Sequence, residues 1–165
     1  MFDCKEPIVY GSSGICSIEG TTVRDFCGSL NEYYILKPLL SDKTTIYAPK
    51  EASNGKNNIR NIMSKEEANE IIDNISDYGA EWNYNDIERK AQFRSALKNS
   101  DPKTLAATLK AIYIHKTELS KSGKRLHSYD EEIMKNAERL LFSEFSYVFG
   151  CNIDEISSIF KSKLI

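Results

Sequence analysis

A chain of 165 residues with 41% apolar and 28% charged side chains has the makeup of a folded globular protein, either one ordinary domain or two small ones. No run approaches the ~20 apolar residues that span a bilayer, and Met1-Phe2-Asp3-Cys4-Lys5-Glu6-Pro7 lacks the basic start and apolar core of a secretory leader. A cytoplasmic protein is therefore expected. The formal charge of −2 averages over three unequal parts. Residues 1–63 are neutral, residues 64–81 carry one basic side chain against six acidic ones, and residues 82–165 carry fourteen basic against eleven acidic. Residues 103–125 hold Lys103, Lys110, Lys116, Lys121, Lys124 and Arg125 against Glu118 alone. Such a zone either attracts an anionic partner or is a solvated helix face.

The first 50 residues read as β. Pro7–Tyr10 is a short apolar run closed by the turn cluster Gly11-Ser12-Ser13-Gly14. Ile15–Ile18 follows and is expected to stop at Gly20; Thr21–Phe26 alternates and ends at Gly28. Glu32–Leu36 is the strongest strand signal, closed by Pro38, and Thr44–Ala48 is closed by Pro49. Five short strands with turns between them predict a small, bent antiparallel barrel, and its open edge is a natural docking site. Residues 50–62 are polar, with Ser53–Asn58 expected as an exposed loop.

From there the chain reads as helical. Ser64 with Glu67 is a capping box opening a helix through Ala68, Ile71, Ile72 and Ile75. The chain breaks over 76–85, where Gly79 and the only tryptophan, Trp82, lie. Asn85 with Glu88 starts a helix expected to turn Ile87, Ala91, Phe93 and Leu97 inward. Asp101-Pro102 starts the next, with Leu105, Leu109, Ile112 and Tyr113 inward and Lys103, Lys110 and Lys116 on its other faces. Ser128 with Glu131 is a third capping pattern, before Ile133, Ala137, Leu140, Leu141, Phe145 and Val148. Gly150 ends that helix, and Asn152 caps a last one through Ile156, Ile159 and Phe160. The plan is a β domain over 1–60 and a helical domain over 61–165, with a connector helix at about 64–77.

Catalytic chemistry does not emerge. Gly11–Gly14 has no lysine at phosphate-loop spacing, and Asp130-Glu131-Glu132 sits where a helix dipole favours acids without catalysis. His127, just before the Ser128 cap, reads as structural. The four cysteines (Cys4, Cys16, Cys27, Cys151) form no C-x-x-C pair and lie far in sequence from His115 and His127, so reduced thiols are expected and no metal or cofactor.

Binding features do emerge. A lone tryptophan is either a core anchor or a surface group. Trp82 sits in a broken stretch before a capped helix, where an indole can stand out and stack on an unpaired base or wedge into an opened base step. Arg89, Lys90 and Arg94 follow, and Lys116, Lys121, Lys124 and Arg125 cluster further on. Together they can track a DNA backbone with little base specificity.

The order of these pieces resembles the CarD/CdnL family of bacterial transcription regulators. In the β part the resemblance lies in Pro7–Gly11 with Gly14-Ile15, in Glu32–Leu39 and in Thr45–Pro49, followed by Ile62–Ala68. In the helical part it lies in Trp82, Asp86, Arg89, Phe93, Ser100-Asp101, Ile112–Lys116, Gly123–His127, Ala137–Leu141 and Glu144-Phe145, and there it is nearest the clostridial branch. The resemblance implies a Tudor-like N-terminal domain that binds the β subunit of RNA polymerase through a sheet edge, using Arg24, Ile46 and Tyr47. It also implies a helical domain at the upstream edge of the transcription bubble, where Trp82 props the minor groove. Two departures stand out: the family often carries a basic residue where Tyr47 stands, and its usual Gly-Asp before the first strand is Lys5-Glu6 here. The resulting expectation is a monomeric α+β transcription regulator, not an enzyme, that stabilises open promoter complexes. The rival readings are a polymerase-binding module with a purely structural helical domain, a free-standing DNA-binding repressor, and a hydrolase or transferase.

Overall fold

The computed structural model describes residues 2–41, 43–51, 58–79 and 81–164, which form two units, Met1–Ile62 and Met63–Ile165. The first is an antiparallel sheet in the order β4-β3-β2-β1-β5, made of β1 (Pro7–Tyr10), β2 (Ile15–Phe26), β3 (Ser29–Pro38), β4 (Ile46–Pro49) and β5 (Ile59–Asn61). Its small core is Ile8, Cys16, Ile18, Tyr34, Leu36, Ala48 and Ile59.

Gly20 does not end a strand. β2 runs through it, and the pairing with β3 shifts register between Ile18 and Gly20. A glycine inside a strand marks a bulge, which bends the strand without stopping it. Beyond the bulge, β2 and β3 continue as a hairpin whose residues 23–32 are all exposed. Its two-residue turn, Cys27-Gly28, has φ of 61° and 83° between the paired Phe26 and Ser29. Two positive φ values are what a right-twisted hairpin demands. The strand expected at 44–48 begins two residues later, at Ile46. β5 falls where only loop was expected and pairs with β1, Ile8 opposite Asn61 and Tyr10 opposite Ile59. Apart from Asn58, the loop expected at Ser53–Asn58 lies outside the described residues.

The second unit comprises α1 (Lys65–Asn74), α2 (Asp86–Asn99), α3 (Pro102–Lys121), α4 (Ser128–Phe149) and α5 (Ile153–Ser162). The Ser64–Glu67 capping box forms in full, Asp101 accepts from Thr104 N, and Asn152 accepts from Asp154 N. Asn85 accepts from Ile87 N and Glu88 N, but the Glu88 carboxylate bonds Asn83 and does not return to Asn85. The pattern at Ser128 fails: Ser128 is already inside the first turn, and His127 precedes it with no side-chain cap bond.

The core is built from Ile71, Phe93, Leu105, Leu109, Ile112, Leu141, Phe145, Phe160 and their neighbours. Two expectations are corrected within it. On α2, Ile87 is 81% exposed and Ala91 is exposed, while Arg89 is buried with Phe93 and Ala96. On α3, Lys110 is buried, its ammonium donating to the carbonyls of Ser76 (2.7 Å) and Tyr78 (2.6 Å). Polar character pointed both side chains outward, but each finds hydrogen-bond partners inside the protein, as a buried charge requires. Among the described residues, no helix is long and apolar enough to cross a membrane.

Candidate docking and nucleic-acid interfaces

In the β unit, alternation puts Tyr34, Leu36 and Ala48 on the core face and Tyr33, Ile35 and Tyr47 on the outer face. Arg24 on β2 reaches across β3 to Tyr47 on β4. Its Nη2 donates to the Tyr47 hydroxyl at 2.8 Å, and its Cζ lies 4.0 Å from the ring centroid. Two of the three residues singled out for polymerase contact therefore form one preorganised cation–aromatic pair. Ile46 is registered opposite buried Leu36 and packs against the core, so its side chain belongs to the inner face. β4 ends the sheet, leaving one edge open to an added strand among the described residues. Further along the outer face Phe26 packs edge-on against Tyr33, their centroids 5.2 Å apart.

In the helical unit, Trp82 does not stand out from the surface; it is half-buried. Its ring stacks on His115 of α3, centroids 3.9 Å apart and 11° from parallel, and meets Phe93 of α2 edge-on at 5.9 Å. The Arg89 Cζ lies 4.8 Å from the indole centroid. Arg89 itself is only 4% exposed: Nε and Nη2 bond the two carboxylate oxygens of Asp130 on α4 at 3.1 and 3.2 Å. Its Nη2 also lies 2.7 Å from Asp86 Oδ1, and its Nη1 donates to the Asn83 carbonyl at 3.0 Å. The expectation that Arg89 contacts DNA is therefore corrected. Its donors are engaged inside the protein, and a phosphate has no access to them.

The other cations stay at the surface. Lys116, Lys124 and Arg125 are exposed and line one cleft of about 340 Å³ at the end of α3. Lys116 and Lys121 also border a wider groove of about 740 Å³ between α3, α4 and α5. Arg94 is exposed on α2, and Lys90 is half-buried with its ammonium 5.2 Å from the centroid of the Tyr129 ring. His115, directly before Lys116, ties the indole to the helix that ends in this basic cluster.

Four residues of this site were not singled out as site residues from sequence. His115 sits one turn after buried Ala111, a spacing that places it on the inner side of α3. Burial pulls its pKa below 6.5; Arg89 and His127 act in the same direction, while Glu118 and Asp130 oppose it. Asp130 looked like one of three first-turn acids, yet it is 1% exposed. Tyr84 and Ile87, 78% and 81% exposed, flank the start of α2. Among the described residues no cluster of His, Cys, Asp and Glu is placed to hold a metal ion.

Taken together these features give a two-unit protein with two candidate interfaces, a β unit carrying an open edge and a cation–aromatic pair, and a helical unit carrying a stacked indole and a basic cluster. Residues 2–63 match the model of the CarD-like/TRCF RID domain family, so the N-terminal unit is a CarD-like/TRCF RID domain. It is an RNA polymerase-interacting, transcription-related protein, and the matched domain is a protein-interaction module, not a known enzyme family. No curated protein matches the chain.

Proposed function

We propose that the protein is a monomeric, nucleoid-associated regulator that stabilises open promoter complexes. In this reading the β unit docks on the polymerase β subunit through the β4 edge with Arg24 and Tyr47. The helical unit meets DNA at the upstream edge of the bubble through Trp82, with Lys90, Arg94, Lys116, Lys121, Lys124 and Arg125 on the phosphates. The observation that carries the reading is the pose of Trp82: half-buried, stacked on His115, and joined through α3 to the basic cluster.

The mechanism needs no bond chemistry. Tethering to polymerase raises the effective concentration of the helical unit at the promoter, so weak contacts suffice. A binder shifts an equilibrium only by its difference in affinity for the two states. A difference of ~1.4 kcal/mol raises the open fraction about tenfold while closed complexes dominate. The test is Trp82→Ala, which is expected to keep binding to immobilised β subunit and to shorten the lifetime of open complexes. Unchanged lifetimes would remove the wedge from the mechanism.

A second reading, a polymerase-binding module with a purely structural helical unit, is favoured by the packing of Trp82 against the helical core. Charge reversal at Lys124 and Arg125 separates the two. Loss of promoter retention supports DNA contact, and unchanged retention supports the second reading.

A further inference from the structure

We infer that Arg89 is the positioning residue of this site, a clamp anchored on Asp130 that sets the pose of Trp82. The inference rests on the reading of Trp82 as the group that meets DNA. Residues 81–85 have no regular secondary structure, so nothing in the local backbone fixes the indole there. One guanidinium supplies what the backbone lacks. Its bidentate bond to Asp130 fixes its plane relative to α4. Nη1 then pins the carbonyl of Asn83, the residue directly after Trp82, and Cζ sits 4.8 Å from the centroid of the indole ring. His115 stacks on the same ring from α3.

The indole is thus referenced to three helices through two side chains, before any partner arrives. Such preorganisation removes the ordering cost of a mobile side chain from the binding step. The role demands a planar fork. Lysine carries the same charge but cannot hold both oxygens of Asp130, Asp86 and the Asn83 carbonyl at once. Arg89 is only 4% exposed and each of its three nitrogens is bonded within the protein, so a loss of function on replacing it reports on Trp82 and not on a lost phosphate contact.

Trp82 is the only tryptophan in the chain, so its emission reports its own pose. The experiment compares the parent with Arg89→Lys, Asp130→Asn, Trp82→Ala and the Trp82→Ala/Arg89→Lys pair, each in the full chain and each verified as folded by circular dichroism. Arg89→Lys is expected to retain β-subunit binding, to shift Trp82 emission to the red, and to raise its quenching by acrylamide. Arg89→Lys is also expected to shorten open-complex lifetimes, by no more than Trp82→Ala does. The double variant is expected to match Trp82→Ala, because a clamp with nothing to hold has no further effect. Emission and quenching unchanged in both Arg89→Lys and Asp130→Asn overturn the clamp. So do effects of Trp82→Ala and Arg89→Lys that multiply. If Trp82→Ala leaves lifetimes intact, the DNA reading fails, and quenching alone decides: raised access supports the clamp, unchanged access overturns it.

Discussion

Lys110 offers the sharpest test of how the segment carrying Trp82 is held. Its side chain is 9% exposed, and its ammonium donates to two carbonyls, Ser76 O and Tyr78 O, just where α1 has ended in a 3-10 turn. Lys110→Met keeps most of the stem's length and packing and removes the donor. Hydrogen bonds from a charged group contribute ~1.5–3 kcal/mol each. Against that stands relief from burying the ammonium, and Ser76 is exposed and Tyr78 half-buried, so water can reach the freed carbonyls in part. The net expectation is a loss of ~2 kcal/mol, worth roughly 10 °C in melting temperature for a unit of this size. The assay is urea unfolding followed by Trp82 emission, which reports on the helical unit alone because the β unit contains no tryptophan. A loss below ~0.5 kcal/mol, or a gain, would refute the reasoning; hydrocarbon packing would then be holding the break and the two hydrogen bonds would be incidental.

Three further outcomes follow from single sites. Cys27 occupies the first position of the hairpin turn with φ of 61°, so Cys27→Asn, which restores the favoured Asn-Gly turn, should stabilise the β unit by ~0.5–1 kcal/mol in thermal unfolding; a destabilised variant contradicts the turn assignment. Burial pushes the Cys16 thiol up to about 11, whereas Cys27 is exposed, so a thiol reagent at neutral pH should label Cys27 quickly and Cys16 only on unfolding; mass spectrometry of a brief labelling pulse decides this. His115, its pKa lowered chiefly by burial, favours the neutral imidazole when folded. Its contribution is therefore complete above the unfolded value near 6.5 and is lost as pH falls through the lower folded value. Unfolding midpoints at about pH 7.5 and about pH 5.5 should differ less for His115→Gln than for the parent, and an equal difference in the two proteins removes His115 from the pH response.

Much of this architecture is legible in the residues because local chemistry decides it. The capping box at Ser64, Asp101-Pro102, Asn152 and the glycines at 28 and 150 all act within a few residues of themselves. What escaped was set by distant partners. β5 is three residues long with one buried apolar side chain, and it exists because β1 offers it an edge. Arg89 and Lys110 read as surface cations until Asp130 and the Ser76 and Tyr78 carbonyls are brought to them. Trp82 was legible as unusual but not as pinned, since its stacking partner lies 33 positions away on α3. The Arg24–Tyr47 pair spans a whole strand and is visible only once the register of β2, β3 and β4 is known.

The pinned indole also bears on where discrimination between promoter states can arise. Lysine and arginine contacts to phosphates form on closed and melted DNA alike, so under the proposed function the cluster at Lys116, Lys124 and Arg125 would add affinity to both states and shift neither against the other. Residues 82–165 carry fourteen basic against eleven acidic side chains, too slight an excess for tight binding to free duplex. In the proposed function, affinity then comes mainly from the tether on polymerase, and selectivity from a group whose fit depends on the shape of the DNA. An indole clamped by His115 and Arg89, as proposed above, would be such a group, because it could not swing aside to accommodate an intact, stacked step. Raising salt should accordingly weaken association while leaving the ratio of open to closed stabilisation nearly constant, and loosening the indole should do the reverse.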